Sequence, residues 1–368
     1  MRHKNNVGLL LLTLFILFSG WLEIAQPGGR DFADLTGGIV TFSTMVRIGI
    51  LTIVVVGLSL LMGYAGQVSL GQAAFYGIGA YVSAIFSTQA VNYGLPPAVA
   101  EAWWWPWLLI ALGMAFTGLF AWLVGKPILR LKGHYLAMAT LGLGIVVFIL
   151  FRENLGVKTS VLIITGGFDG LFDIPRLRIG SFALWPVERY YFFVWAVAIA
   201  VIALALNVVN SRAGRALRAI HGSEIAAETM GVDTAQFKVK VFVLSATLAS
   251  LGGSLFAHFQ AAVSPAPFGF GASLELVIMA AMGGMATIWG APLGVALFLI
   301  LQQLLQARLH LFVEGSVAEI ETIVFGALLV ILMIFLPEGV AHTLTNWAAR
   351  LRRRAKMIGL PGFRGVKE

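Results

Sequence analysis

A serine flanked by glycines two positions before and two after it is the spacing of a nucleophile elbow, whose strained turn exposes the hydroxyl for attack. Ser69 comes close in Gly66-Gln67-Val68-Ser69-Leu70-Gly71, but its upstream glycine sits one position too far away. Gly125-Lys126 has the end of a phosphate-binding loop without the earlier glycine or the following hydroxyl that cradle phosphate and magnesium. The six histidines are scattered, and neither His-Glu-x-x-His nor a dinucleotide fingerprint occurs. Cysteine is absent, which excludes thiolate nucleophiles, disulfides and cysteine-held zinc or iron–sulfur centres. No catalytic residue, cofactor site or metal site is expected, and any ATP hydrolysis must take place on another chain. The chemistry that remains belongs to polar groups embedded in apolar sequence: Gly66, Gln67, Ser69, Gly71 and Gln72, then His258, Gln260, Glu275, Gln302, Gln303 and Glu321.

Amides and broken backbone are costly at bilayer depth unless they meet protein or line a cavity. In the run 63–81, glycines and two glutamines interrupt an apolar helix, and two readings stand for it. It is either an element of a solute pathway or a place where helices pack closely through small residues. A pathway or gate role and a helix–helix hydrogen bond are likewise both open for His258, Gln260, Gln302 and Gln303. Glu275 and Glu321 lie near span ends, where hydration at the interface is the simpler reading.

What must position these groups is a membrane bundle. Hydrophobic residues make up 59% of the 368, and charged residues only 11%, less than half of the roughly 25% usual in soluble domains. With a mean hydropathy of +0.90, a soluble enzyme, a disordered chain and a collagen are excluded. Apolar runs of about 20 residues predict roughly ten spans, near 7–24, 46–64, 68–88, 105–125, 135–151, 190–209, 241–262, 274–289, 291–311 and 319–336. The fold class is therefore all-α, a polytopic integral membrane protein with a transmembrane region over 1–340 and a basic tail over 341–368. Arg2-His3-Lys4 before the first run has the outline of a secretion signal. The run is longer than a usual signal core and no small-x-small site follows, so it reads as a span. Tryptophans over 103–107, and the aromatics from Trp185 to Tyr191, read as interface belts.

Placing the N-terminus in the cytoplasm puts 17 of the 25 Lys and Arg residues on that side, among them Lys126, Arg130, Lys132, Arg212, Arg215 and Arg218. Both termini are then inside. The net charge of +8 thus reflects cytoplasmic loops and contact with anionic lipid headgroups, not nucleic acid. Two loops stand out. The outer one, 153–189, carries Thr165-Gly166-Gly167-Phe168-Asp169-Gly170-Leu171 and can form a small cap that receives a partner or merely covers helix ends. In the inner one, 210–240, Ser223 can cap a short helix beginning at Glu224 that stops at Gly231, a position that favours a left-handed residue. Asp233 with Gln236 forms a capping box for the next span. The short helix has little side-chain bulk on one face and can seat in a groove on another protein.

The spacing of Glu224, Ala226, Ala227 and Gly231 resembles the EAA loop of ABC-importer permeases, which docks in a cleft of the ATPase subunit. The run 63–81, Thr165 to Leu171, and Gly283-Gly284-Met285-Ala286-Thr287-Ile288-Trp289-Gly290 are similar to the corresponding stretches of high-affinity branched-chain amino-acid permeases of the LivM type. Met285-Ala286-Thr287 departs from their frequent Met-Gly-Thr. Together these motifs extend over most of the chain. The resemblance implies a permease subunit that moves branched-chain amino acids across the bacterial inner (plasma) membrane by alternating access. It implies ATPase coupling through Glu224, Ala226, Ala227 and Gly231, while a pathway past Gly66, Gln67, Ser69, Gly71 and Gln72 remains one of the two readings of the interrupted run. Partners implied are a homologous permease, two ABC ATPase subunits and a periplasmic or lipid-anchored solute-binding protein. Permeases for urea or short-chain amides share much of the pattern. A stand-alone secondary transporter would need a coupling-ion site, and no convincing set of buried carboxylates offers one.

Overall fold

The computed structural model describes residues 2–25, 40–92, 94–156 and 164–309, with Gly326, Ala327 and Val330 beyond them. Glu321, the span expected over 319–336 and the tail over 341–368 lie outside the described residues. The helices are α1 (Arg2–Ala25), α2 (Phe42–Ser59), α3 (Gln72–Thr88), the single turn α4 (Pro97–Ala100), α5 (Trp105–Ile128), α6 (His134–Arg152) and α7 (Val187–Asn210). They continue with α8 (Arg212–Gly222), α9 (Glu224–Thr229), α10 (Thr234–Gln260), α11 (Phe270–Gly283) and α12 (Gly290–Leu309). Among the described residues, seven helices are long and apolar enough to cross a bilayer: α1, α2 extended to Tyr64, α5, α6, α7, α10 and α12. Among the described residues the count of ten is not reached, because α3 has 17 residues, α11 only 14, and the tenth expected span lies outside them.

Both short helices adjoin a break, the first of which the glycines and glutamines of 63–81 signal in the sequence. After α2 the chain widens into a looser helical turn over Leu60–Tyr64, closed by a Gln67 N–H to Leu61 carbonyl bond of 3.1 Å. It then runs without regular structure, so helix resumes at Gln72 and not at Val68. Likewise α11 stops at Gly283, the backbone turns through Gly284 at φ +101°, and α12 returns antiparallel from Gly290. Met285 to Trp289, expected within a span, form this turn. The two breaks touch: a Cβ on Gly63 would lie 1.8 Å from the Met285 carbonyl oxygen, so only glycine admits that contact.

At the centre lies α10, 27 residues long, packed against α2, α3 and α5. Its crossing with α3 is made by small residues. Ser254 Oγ donates to the Gly79 carbonyl at 3.0 Å, and a Cβ on Gly253 would sit 1.8 Å from the Tyr76 carbonyl. This is the close backbone approach by which helices associate where no hydrophobic drive separates lipid from protein. Away from this core, α5 turns Leu108, Leu112, Phe116, Leu119 and Leu123 outward at helical spacing, a face suited to acyl chains.

The helix ends sort into two layers. At one end, β1 (Leu171–Phe172) pairs antiparallel with β4 (Ala262–Val263), and β2 (Arg178–Ile179) pairs with β3 (Phe182–Ala183). This cap is tied to the bundle by His258, whose Nδ1 donates to the Pro175 carbonyl at 2.7 Å, and by Trp107, whose Nε1 donates to the Arg178 carbonyl at 2.8 Å. Trp105 is buried and donates to the Phe86 carbonyl, so two of the tryptophans read as an interface belt hold the fold together. The Thr165 motif is structural too: Thr165 Oγ1 donates to the Phe151 carbonyl at 2.8 Å, and Gly170 at φ +84° passes against Val263. At the opposite end lie the basic turn between α5 and α6 and the helices α8 and α9.

Candidate functional site

Local sequence builds α9. Ser223 Oγ accepts from the Ala226 N–H at 3.3 Å, and the stop is made by Gly231 at φ +82°, with the Val232 N–H bonding back to the Ala227 carbonyl at 3.0 Å. Asp233 Oδ1 caps α10 through the Gln236 N–H at 3.0 Å. The reciprocal half of the expected capping box is not made: Gln236 Oε1 instead accepts from Lys240 at 3.0 Å.

Three contacts brace the helix on the bundle. Glu224 takes a hydrogen-bonded ion pair from Lys238 on α10 and lies 3.8 Å from Lys132 in the turn before α6, and Glu228 accepts from Thr234 Oγ1 at 2.7 Å. Of the four residues expected to couple to an ATPase, Glu224 and Ala227 therefore face the permease, Ala227 being only 3% exposed. Ala226 and Gly231 are exposed, joined by two apolar side chains that the motif does not flag, Ile225 at 73% and Met230 at 84%. Exposed apolar groups of that size on a braced, capped helix are what a docking contact needs.

The broken segment lies immediately behind. A cavity of about 110 Å³ is lined by Gly66 and Gln67 on one side and by Lys132, His221, Glu224 and Lys238 on the other. Gly66 has φ +68°, and a Cβ there would lie 3.2 Å from the His221 ring. Gln67 is 4% exposed, and among the described residues neither its amide nitrogen nor its amide oxygen has a partner; Ser69 Oγ is in the same condition. Gln72 differs. Its Nε2 donates to the Ser245 carbonyl and to Ser245 Oγ at 3.2 and 3.1 Å, locking α3 to α10. Gly71 is a packing residue, since a Cβ there would lie 2.4 Å from the Thr140 carbonyl, while Thr140 Oγ1 accepts from the Leu70 N–H at 3.0 Å. The five residues named for a pathway thus divide: Gln67 and Ser69 hold unused polar atoms, Gly66 bends the chain, and Gly71 and Gln72 bind helices together.

Among the other intramembrane polar groups, Gln303 donates to Thr44 Oγ1, a helix–helix bond, and His258 serves the cap. Gln260 and Glu275 line a second cavity at the cap end with Arg47. Arg47 is a residue whose signal was present in the sequence, a lone charge within an apolar run.

The profile of the family described as branched-chain amino acid transport system / permease component matches residues 40–333. The high-affinity branched-chain amino acid transport system permease protein LivM of Escherichia coli (strain K12) is 30% identical, over 90% of this chain and 74% of that protein. The corresponding LivH protein of the same strain is 23% identical over 78% of this chain and 90% of its own length. A probable LivM of Methanocaldococcus jannaschii is 22% identical over 79% and 90%. No solved structure matches. These relatives are named as transport permease proteins. The chain belongs to the branched-chain amino acid transport system permease family and is a multi-pass membrane transport subunit.

Proposed function

We propose that this chain is one of two homologous permease subunits of an ATP-driven importer that moves branched-chain amino acids into the cell by alternating access. The basic end carrying α9 faces the cytoplasm of the cell's inner (plasma) membrane, and the β-strand cap faces the solute supply. Two ABC ATPase subunits seat on α9, and a periplasmic or lipid-anchored binding protein delivers solute to the cap.

The observation that carries this reading is the pairing of opposite features in α9. Ile225 and Met230 are exposed, while Glu224 is anchored to α10 by Lys238. A helix held that firmly and left with apolar groups uncovered fits a power-input contact better than a loop between spans. Relatives named LivM and LivH support a paired pore and the substrate class.

The test is reconstitution in liposomes with the partner permease, ATPases and binding protein encoded alongside. ATP-dependent accumulation of leucine, isoleucine and valine is the expected result. Import of urea or acetamide in place of amino acids would assign the substrate to the amide class, and uptake without ATPases would assign the chain to secondary transport.

A further inference from the structure

Arg47 lies five residues after the start of α2 and Glu275 five residues after the start of α11, each within an otherwise apolar stretch. Charges at that depth are retained where they meet a counter-charge, protein or water. They share a cavity of about 450 Å³ with the Gln260 amide, walled by Phe256, Leu276 and Met279. That volume falls within the ~300–1,000 Å³ of small-molecule sites. Among the described residues Arg47 and Glu275 form no ion pair with each other or with any other group.

Two full charges of opposite sign, held apart in one cavity beside an apolar wall, are complementary to one ligand class. A guanidinium matches a carboxylate bidentately, a carboxylate matches an ammonium, and the apolar wall matches an aliphatic side chain. Urea and simple amides carry no charge that would compensate either group. We propose that this cavity is the permease's own binding site for a zwitterionic α-amino acid. Arg47 takes the carboxylate, Glu275 the ammonium, and Phe256, Leu276 and Met279 the side chain. The proposal deepens the transport reading above and rests on it. It also places solute recognition in the pore subunit in addition to any binding protein.

The absence of cysteine makes the site testable in the assembled transporter. Ala272→Cys places a thiol on this chain at the cavity wall, to be labelled by a membrane-impermeant maleimide in the complete complex. Leucine at about nine times its Kd leaves one site in ten open and slows labelling about tenfold, acetamide has no effect, and adding Arg47→Gln or Glu275→Gln removes the protection. Labelling indifferent to leucine overturns the site. In parallel, each charge variant lowers leucine uptake at least about tenfold, the worth of one lost charge-assisted contact, with the permease pair recovered intact. Loss of the pair instead assigns the charges to the subunit interface and overturns the proposal. Wild-type import of leucine matched by both variants overturns the site alone, whereas a wild-type complex that imports acetamide and no amino acid overturns the transport reading.

Discussion

Lys238, in the second turn of α10, donates to Glu224, the first residue of α9, and this ion pair joins the exposed loop helix to the longest of the described helices. From Lys238, α10 runs unbroken to Gln260, 22 residues and therefore about 33 Å. On the way it holds Gln72 through Ser245, and at its far end it presents Gln260 to the cavity that contains Arg47 and Glu275. One rigid element thus touches the proposed ATPase contact, the broken segment and the proposed solute cavity. A two-state displacement of α10 would bias all three together.

Glu224→Ala should uncouple that joint. Lys238 has only 10% of its side chain exposed and would be left without its anion, a cost on the order of 2 kcal/mol. The expected outcome is normal insertion and pairing, with solute-stimulated ATP hydrolysis reduced several-fold. Stimulated hydrolysis at the wild-type level would show that the ion pair does not carry coupling.

Gly231 separates backbone geometry from bulk. Nothing lies within 4 Å of the position of a Cβ there, yet φ is +82°. Gly231→Val therefore pays only conformational strain, roughly 1–2 kcal/mol, and Gly231→Asn much less. Co-purification of the ATPases should fall in the order Gly, Asn, Val. Equal recovery with all three would mean that the helix end needs no fixed geometry.

This local device was legible in the sequence because every part of it is local. Ser223 and Gly231 stand eight residues apart and specify the helix between them regardless of the rest of the chain. The spans α5, α6 and α7 were equally readable, since length and apolarity suffice. The interruption within 63–81 was legible from its glycines and glutamines, but the start of α3 and the end of α11 were not: Val68 and the mostly apolar Met285 to Trp289 continue a hydrophobic run, and only contact between the two breaks, at Gly63 and Met285, shows why helix fails there. The cavity at the cap end was hidden for the same reason, because Arg47 and Glu275 meet only through the packing of α2 against α11.

The outward and inward faces of α9 make opposite predictions. Ile225→Ser and Met230→Ser remove exposed apolar surface, so ATPase recovery should drop while the permease pair keeps its melting temperature. Ala227→Leu instead inserts bulk at a buried position, an overpacking cost of about 1–3 kcal/mol, and should lower the yield of folded permease. The reverse pattern would place the docking face on the Ala227 side.

Sidedness follows from the two layers of helix ends. Single cysteines at Ser181, exposed beside β3, and Ser223, exposed before α9, should react with impermeant reagents from opposite sides of the membrane, Ser181 from outside in intact cells. Reaction of both from the same side would refute the arrangement, as would a Ser223 thiol labelled without permeabilisation.

Gln67 and Gln72 should part company although only four residues separate them. Gln72→Ala deletes three bonds to Ser245 in a fully buried site, a loss of about 1–3 kcal/mol each time a buried polar partner is stranded, so thermal stability should fall. The effect should be non-additive with Ser245→Ala, because both changes remove the bonds between the Gln72 amide and Ser245 Oγ, while the bond to the Ser245 backbone carbonyl is lost only with Gln72. Gln67 has no partner among the described residues to lose. Gln67→Ala should therefore leave stability unchanged or raise it, while Gln67→Leu, which keeps the volume and discards the amide, should slow uptake if the amide faces solute or the coupling cavity during the cycle. Wild-type uptake in Gln67→Leu would reduce the segment to a packing element, and an equal loss of stability in both alanine variants would mean that Gln67 acquires a structural partner in the assembled transporter.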